Sequence, residues 1–291
     1  MPPSVLPYFQ LIAGAVLLST GSTAIKATGF SAVQLAGWRA LVIAVFLMLA
    51  VRPPRRLFTR ALLPAAVAHG ATTLLFMWGN KLTTGATAIF LQYTAPLYLL
   101  LFGPWLLKEP VAKRDYLFVA VLLLGMILLL AHPPARAATA PNPVLGGIVA
   151  ACCGVTWSLT TLTMRGLARQ PAFGFERTIA SIIVANVALA VGLLPLFGFT
   201  DGLPPLRDLG IAAYMGVFQL GSAFILISLG LRRVTALEGA LLLLVEPVLS
   251  PAWVWLVHGE ALGGWSLVGG SLILLATALR VVLAERSPGA K

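Results

Sequence analysis

Glu246 stands inside a long apolar run, directly before Pro247. A carboxylate there costs about 2–4 kcal/mol in a membrane core unless it is paired or wetted. It can meet the ammonium of a solute, or carry a proton if burial raises its proton affinity. The plainer alternative is a protonated glutamate that hydrogen-bonds two helices together. Other polar groups recur in similar runs: Gln92, Tyr93 and Tyr98 in one, Tyr214 and Gln219 with Ser222 in another, and His69 with Thr72 and Thr73 in a third. Trp157 is flanked by Thr156, Ser158, Thr160 and Thr161. Hydroxyls in an apolar helix bond the preceding turn or line a cavity. A tryptophan among them, far from either end of its run, suits a wall that stacks on a solute. Pro96 and Pro247 remove a backbone donor from mid-run, so each frees a carbonyl or absorbs a bend. Such groups suit holding a small zwitterionic or weakly cationic solute with an apolar part.

Equipment for making and breaking bonds is not expected. Cys152 and Cys153 are adjacent, and His69, His132 and His258 are far apart in sequence, which argues against a zinc site or disulfide framework. No catalytic residue, metal or cofactor is assigned. Glu238 and Glu246 can share a helix face, but an intramembrane enzyme would need a metal or acid partner that the sequence does not supply. No G-x-x-x-x-G-K-[ST] run is present to power transport with ATP.

The elements that must position these groups follow from composition. Of 291 residues, 59% are hydrophobic and only 10% charged. A soluble domain carries about a quarter charged residues, so this chain cannot cover a water-facing surface, and it is far too apolar for disorder. Runs long enough for a bilayer core of about 30 Å recur from end to end. They predict ten helical spans over 5–26, 31–51, 61–80, 85–107, 115–132, 143–167, 173–198, 207–230, 234–257 and 262–284. Helices are required because the core holds no water to satisfy free backbone groups. The first span has no basic residue before Lys26, unlike a signal peptide, and is expected to be retained.

The net charge of +11 is not read as a nucleic-acid footprint, because the basic residues sit in the breaks between apolar runs. With the N-terminus in the cytoplasm, fourteen Lys and Arg fall in inner breaks and the C-terminus. Four (Lys26, Lys81, Arg136 and Arg207) fall in outer ones. That bias obeys the positive-inside rule and predicts cytoplasmic N- and C-termini. Trp78, Trp253, Trp255 and His258 read as interface residues. Glu109 and Glu260 read as caps for the helix that follows each.

The chain repeats itself. Gly79, Thr84, Pro96 and Glu109 recur as Gly230, Thr235, Pro247 and Glu260, each 151 residues later. Trp38-Arg39 and Glu176-Arg177 open the second span of each half. Five spans per half is an odd number, so the halves must point in opposite directions. The expected fold is all-α: a polytopic membrane protein of ten transmembrane helices built from two inverted five-helix repeats, over 1–135 and 136–291. Inverted halves can exchange conformations, which is one basis of alternating access around a midplane site.

With Thr84/Pro96/Glu109 and Thr235/Pro247/Glu260 in a five-plus-five frame, the chain resembles the EamA-type transporters of the drug/metabolite transporter superfamily, nearest in look to bacterial amino-acid and metabolite exporters. The resemblance implies export or facilitated passage of small organic solutes across the bacterial inner membrane. Apolar or aromatic amino acids fit the polar groups above. A multidrug or cation exporter is the alternative on the same scaffold. The expected partners are a small-molecule solute and the lipid bilayer, with no nucleic acid. Proton coupling through Glu246 stays open, and a monomer suffices.

Overall fold

The computed structural model describes residues 5–106, 113–168, 172–197, 204–233, 239 and 242–285. Its elements are α1 Leu6–Ser19, α2 Gly21–Ala27, α3 Ala32–Val51, α4 Leu63–Leu82, α5 Gly85–Gln92, α6 Ala95–Leu106, α7 Lys113–Ala131, α8 Pro143–Ala168, α9 Gly174–Phe197, α10 Leu206–Tyr214, α11 Ala223–Leu231, α12 Val245–His258 and α13 Gly264–Glu285. A π-helical segment, Met215–Ser222, joins α10 to α11. Among the described residues there is no strand, only a bridge between Ala137 and Ala140. Among the described residues six helical stretches are long and apolar enough to cross a membrane, and Tyr116–Ala131 and Gly264–Leu279 are shorter apolar helices. Leu49, Val67, Leu117, Ile127, Ile148, Val191, Leu256 and Leu275 are exposed. So much bare apolar side chain suits lipid rather than water.

Local chemistry sets where the helices begin. Ser31 starts α3 with a reciprocal capping box: Gln34 N–H donates to Ser31 Oγ at 3.2 Å, and Ser31 N–H to Gln34 Oε1 at 2.9 Å. Proline falls in the first turn of α1 and of α4, where its missing N–H costs nothing. Gly259, at φ 67°, ends α12 in the left-handed region, and its N–H bonds Trp255 O at 2.9 Å.

Packing pairs the helices. α3 packs on α9, with Ile43 and Leu47 meeting Ile179, Ile182 and Ile183. α7 packs on α13, where Gly125 and Gly269 each bring bare backbone to the other: a Cβ on either would lie 2.8 Å from the other's carbonyl oxygen. α4 packs on α8 and α11 on α1; α5 packs on α8 and α12 on α1; α4 packs on α9 and the π segment on α3.

Polar contacts fix which ends lie together. Lys26 Nζ donates to Thr83 O at 2.9 Å and Thr139 O at 2.5 Å, and pairs with Glu260 Oε1 at 2.8 Å. Lys81 Nζ donates to Thr28 O at 2.6 Å, and Gly29 N–H to Asp208 Oδ1 at 3.2 Å. These contacts gather the breaks near 28, 83, 139, 206 and 260 at one end. The helical run Leu206–Leu231 leaves that end and, with 26 residues, carries Arg232 about 39 Å away. Lys81 and Arg232 therefore lie at opposite ends. At the far end the Arg56 guanidinium sits 4.8 Å over the Phe173 ring.

Candidate functional site

The site begins where helices break. α5 ends at Gln92, Tyr93 and Thr94 form a turn, and α6 starts at Ala95. Leu97 N–H bonds Thr94 O at 2.9 Å. Pro96 is thus in the first turn of a new helix, where no intrahelical bond is lost. The second half does the same: Leu244 is a turn residue and Pro247 the third residue of α12. Both prolines mark the restart of a helix rather than a kink within one. Pro251 is the proline inside α12.

The two breaks meet. Tyr93 Oη donates to Glu246 Oε2 at 2.9 Å and lies 3.4 Å from Leu243 O. Glu246 is the second residue of α12, so its carboxylate also sits at the positive end of that helix. α8 can press on the first break because Gly154 has no side chain. A Cβ there would be 2.8 Å from both Leu91 O and Thr94 Oγ1. Next to it, Cys153 Sγ reaches Thr72 O at 3.6 Å and Gln92 Oε1 at 3.8 Å, and Thr72 Oγ1 meets Thr160 Oγ1 at 3.1 Å. Gln92, Tyr93 and Glu246 are therefore brought into one polar centre, and Cys153 and Thr72 belong to it too.

The other expected site residues are distributed around this centre. Ser158 Oγ and Thr161 Oγ1 bond carbonyls of their own helix, Val155 O at 2.7 Å and Trp157 O at 2.9 Å, the bland alternative for a membrane hydroxyl. The Trp157 indole is half-buried. Tyr98 Oη turns toward Met126 Sδ, 3.6 Å away. Gln219 lies on the π segment and donates from Nε2 to Leu18 O at 3.3 Å, and Tyr214 Oη meets Thr20 Oγ1 at 3.0 Å. His69 is buried, with Phe224 edge-on at 5.8 Å.

Three residues serve differently from their sequence reading. Trp253 Nε1 donates to Ser19 Oγ at 2.9 Å, and His258 Nε2 lies 3.0 Å from Thr23 O. Both tie α12 to the first span, whereas Trp255 is exposed as an interface residue should be. Glu260 caps α5 rather than the helix that follows it, accepting from Gly85 N–H at 3.0 Å. Its carboxylate thus complements the N-terminus of a distant helix while neutralising Lys26. Glu109 and Glu238 lie outside the described residues. Among the described residues no cluster of His, Cys, Asp and Glu can hold a metal.

The EamA-like transporter family profile matches the chain twice, over residues 5–131 and 144–282. The chain belongs to this family. It is a multi-pass membrane protein of the drug/metabolite transporter superfamily, and the family's business is transport rather than catalysis. An uncharacterized transporter of Methanothermobacter thermautotrophicus is 28% identical over 181 residues, which are 62% of this chain and 52% of that protein. The chain thus aligns with about half the length of that relative. The aromatic amino acid exporter YddG of Ancylobacter novellus is 27% identical over 207 residues, 71% of this chain and 70% of the exporter. A solved crystal structure with 23% identity superposes with a TM-score of 0.64, covering 96% of this chain and 98% of the other. That likeness speaks to the fold alone.

Proposed function

We propose that the chain is a secondary carrier of small organic solutes, with apolar and aromatic amino acids as its substrate class, working as an exporter or facilitator by alternating access. In this reading it has ten spans in two inverted units, 1–135 and 136–291. It lies in the bacterial inner membrane with both termini in the cytoplasm, and a monomer is sufficient. The observation that carries it is the junction of two broken helices, Tyr93 on Glu246; the breaks themselves, at Tyr93 and Leu244, stand 151 residues apart, as the internal repeat requires. Broken helices meeting at mid-membrane are how carriers expose backbone and polar groups to a solute.

Two further observations support the reading. Exchanging the first five spans with the second five maps the α4–α8 contact onto α11–α1, α5–α8 onto α12–α1, and α3–α9 and α7–α13 onto themselves. That is the pattern an inverted pair produces. The end carrying Arg52, Arg55, Arg56 and Arg60 suits the cytoplasmic face. In substrate terms, the Glu246 carboxylate meets the amine, while the Trp157 and Tyr98 rings offer apolar walls. The name of the Ancylobacter novellus exporter points to the same class.

Counterflow in proteoliposomes tests this. Vesicles loaded with unlabelled L-phenylalanine or L-tryptophan are expected to accumulate the labelled amino acid transiently, and vesicles loaded with a hydrophobic cation are not. Counterflow of cations with none of amino acids would replace this reading with a drug exporter.

A further inference from the structure

Arg39 lies two turns into α3 and is 3% exposed, yet no carboxylate among the described residues pairs with it, and its Nε has no hydrogen-bond partner. Its counterpart in the repeat is used differently: Arg177 sits in the first turn of α9, where its Nε donates to Ala172 O at 3.3 Å. An arginine cannot shed its charge as other buried groups do. A buried guanidinium without an anion is costly, and an intramembrane charge of this kind is a candidate functional site.

His69 is the second orphan. It is 3% exposed, both ring nitrogens lack partners, and it lies within electrostatic reach of Arg39. Phe224 closes one side of the imidazole. The π segment packs on this stretch of α3: a Cβ on Gly216 would stand 3.3 Å from the backbone carbonyl oxygen of Arg39. π-Helical turns are frequent at functional sites. α4, which carries His69, also reaches the Tyr93–Glu246 centre. Thr72, one turn from His69, accepts from Cys153 through its carbonyl, and Cys153 reaches Gln92, the neighbour of Tyr93.

We propose that Arg39, with His69 on the neighbouring helix α4, recognises the carboxylate of the transported solute. This rests on the carrier reading above and adds to it a second polar station, opposite in charge to Glu246. The guanidinium fork suits a carboxylate bidentately, and an imidazole N–H supplies a further donor.

The test uses the purified full chain and ligand-induced thermal shifts, titrated to give Kd. The probes are L-phenylalanine, 3-phenylpropionate (no amine) and phenethylamine (no carboxylate). Arg39→Gln is expected to weaken 3-phenylpropionate at least about tenfold, the loss of one charge-assisted contact, and phenethylamine less than twofold. Arg39→Lys, which keeps the charge, is expected to fall between Arg39→Gln and the unaltered chain and guards against a folding defect. Glu246→Gln should give the reverse pattern. If phenylalanine and phenethylamine bind but Arg39→Gln leaves 3-phenylpropionate unchanged, the inference fails and the amino-acid reading stands. If 3-phenylpropionate binds in an Arg39-dependent way while the zwitterion and the amine do not, the amino-acid reading fails and the inference stands. No binding of any carboxylate to the unaltered chain overturns the inference.

Discussion

Lys26 and Glu260 make the ion pair that locks one end of the bundle, and the two partners should not be equal under substitution. Their side chains are 2% and 6% exposed, with 2.8 Å between Nζ and Oε1. Lys26→Met leaves the Glu260 carboxylate buried with Gly85 N–H as its remaining donor. It also frees the carbonyls of Thr83 and Thr139. Removing one partner of a buried pair costs about 3–5 kcal/mol. Glu260→Gln is milder. It leaves the Lys26 ammonium without its counter-charge, but the ammonium keeps both carbonyls and the amide oxygen can still accept from Gly85 N–H, so the loss is smaller, about 1.5–3 kcal/mol, that of a hydrogen bond to a charged group. The double variant should be closer to Glu260→Gln than to the sum of the singles, because it leaves no uncompensated carboxylate. The coupling should be at least about 1 kcal/mol in a double-mutant cycle. The assay is thermal unfolding in one detergent at one scan rate, since unfolding of such proteins is often irreversible. Lys26→Met should lower the midpoint by several degrees more than Glu260→Gln. Equal shifts that add in the double variant would refute the reasoning.

Tyr93→Phe removes the donor to Glu246 and should slow counterflow about tenfold with little change in thermal midpoint; flux measured beside unfolding separates the two. Glu246→Gln should slow exchange, because the carboxylate that meets the amine is gone, and should abolish any pH dependence of the remaining exchange between pH 5 and 8. A pH profile parallel to that of the unaltered chain would remove Glu246 as a proton carrier. Gly154→Val forces a side chain against Leu91 O and Thr94 Oγ1 and should destabilise by about 1–3 kcal/mol, read as a lower unfolding midpoint.

Much of the architecture was legible because a bilayer imposes strict rules on length and charge. The outer breaks inferred from Lys26, Lys81 and their neighbours are the ones the structure ties together around Lys26. The repeat offset marked Pro96 and Pro247, and both stand where helices restart. What the residues could not convey was facing. These helices are apolar on every side, so periodicity does not separate the lipid side from the interior. That is why Trp253 reads as an interface residue until its bond to Ser19 is seen. It is also why the sequence does not show that the threonines around Trp157 bond carbonyls of their own helix. Partners far apart in sequence are likewise invisible. Glu260 was recognisable as a cap, but the helix it caps starts 175 residues earlier. Arg39 was legible only as half of the pair with Arg177; its burial two turns into α3 and its unpartnered Nε come from the structure.

The account stands on a solute chamber around Tyr93 and Glu246 that opens to each side of the membrane in turn. Ser250, buried one turn beyond Glu246, reports on it directly. A single cysteine at this position, with Cys152 and Cys153 replaced by serine, can be tested in sealed vesicles with an impermeant thiol reagent on either side. The account predicts labelling from both faces, with the rates from the two sides shifting in opposite directions when substrate is supplied on one. Labelling from one face only, whatever the substrate, would contradict it.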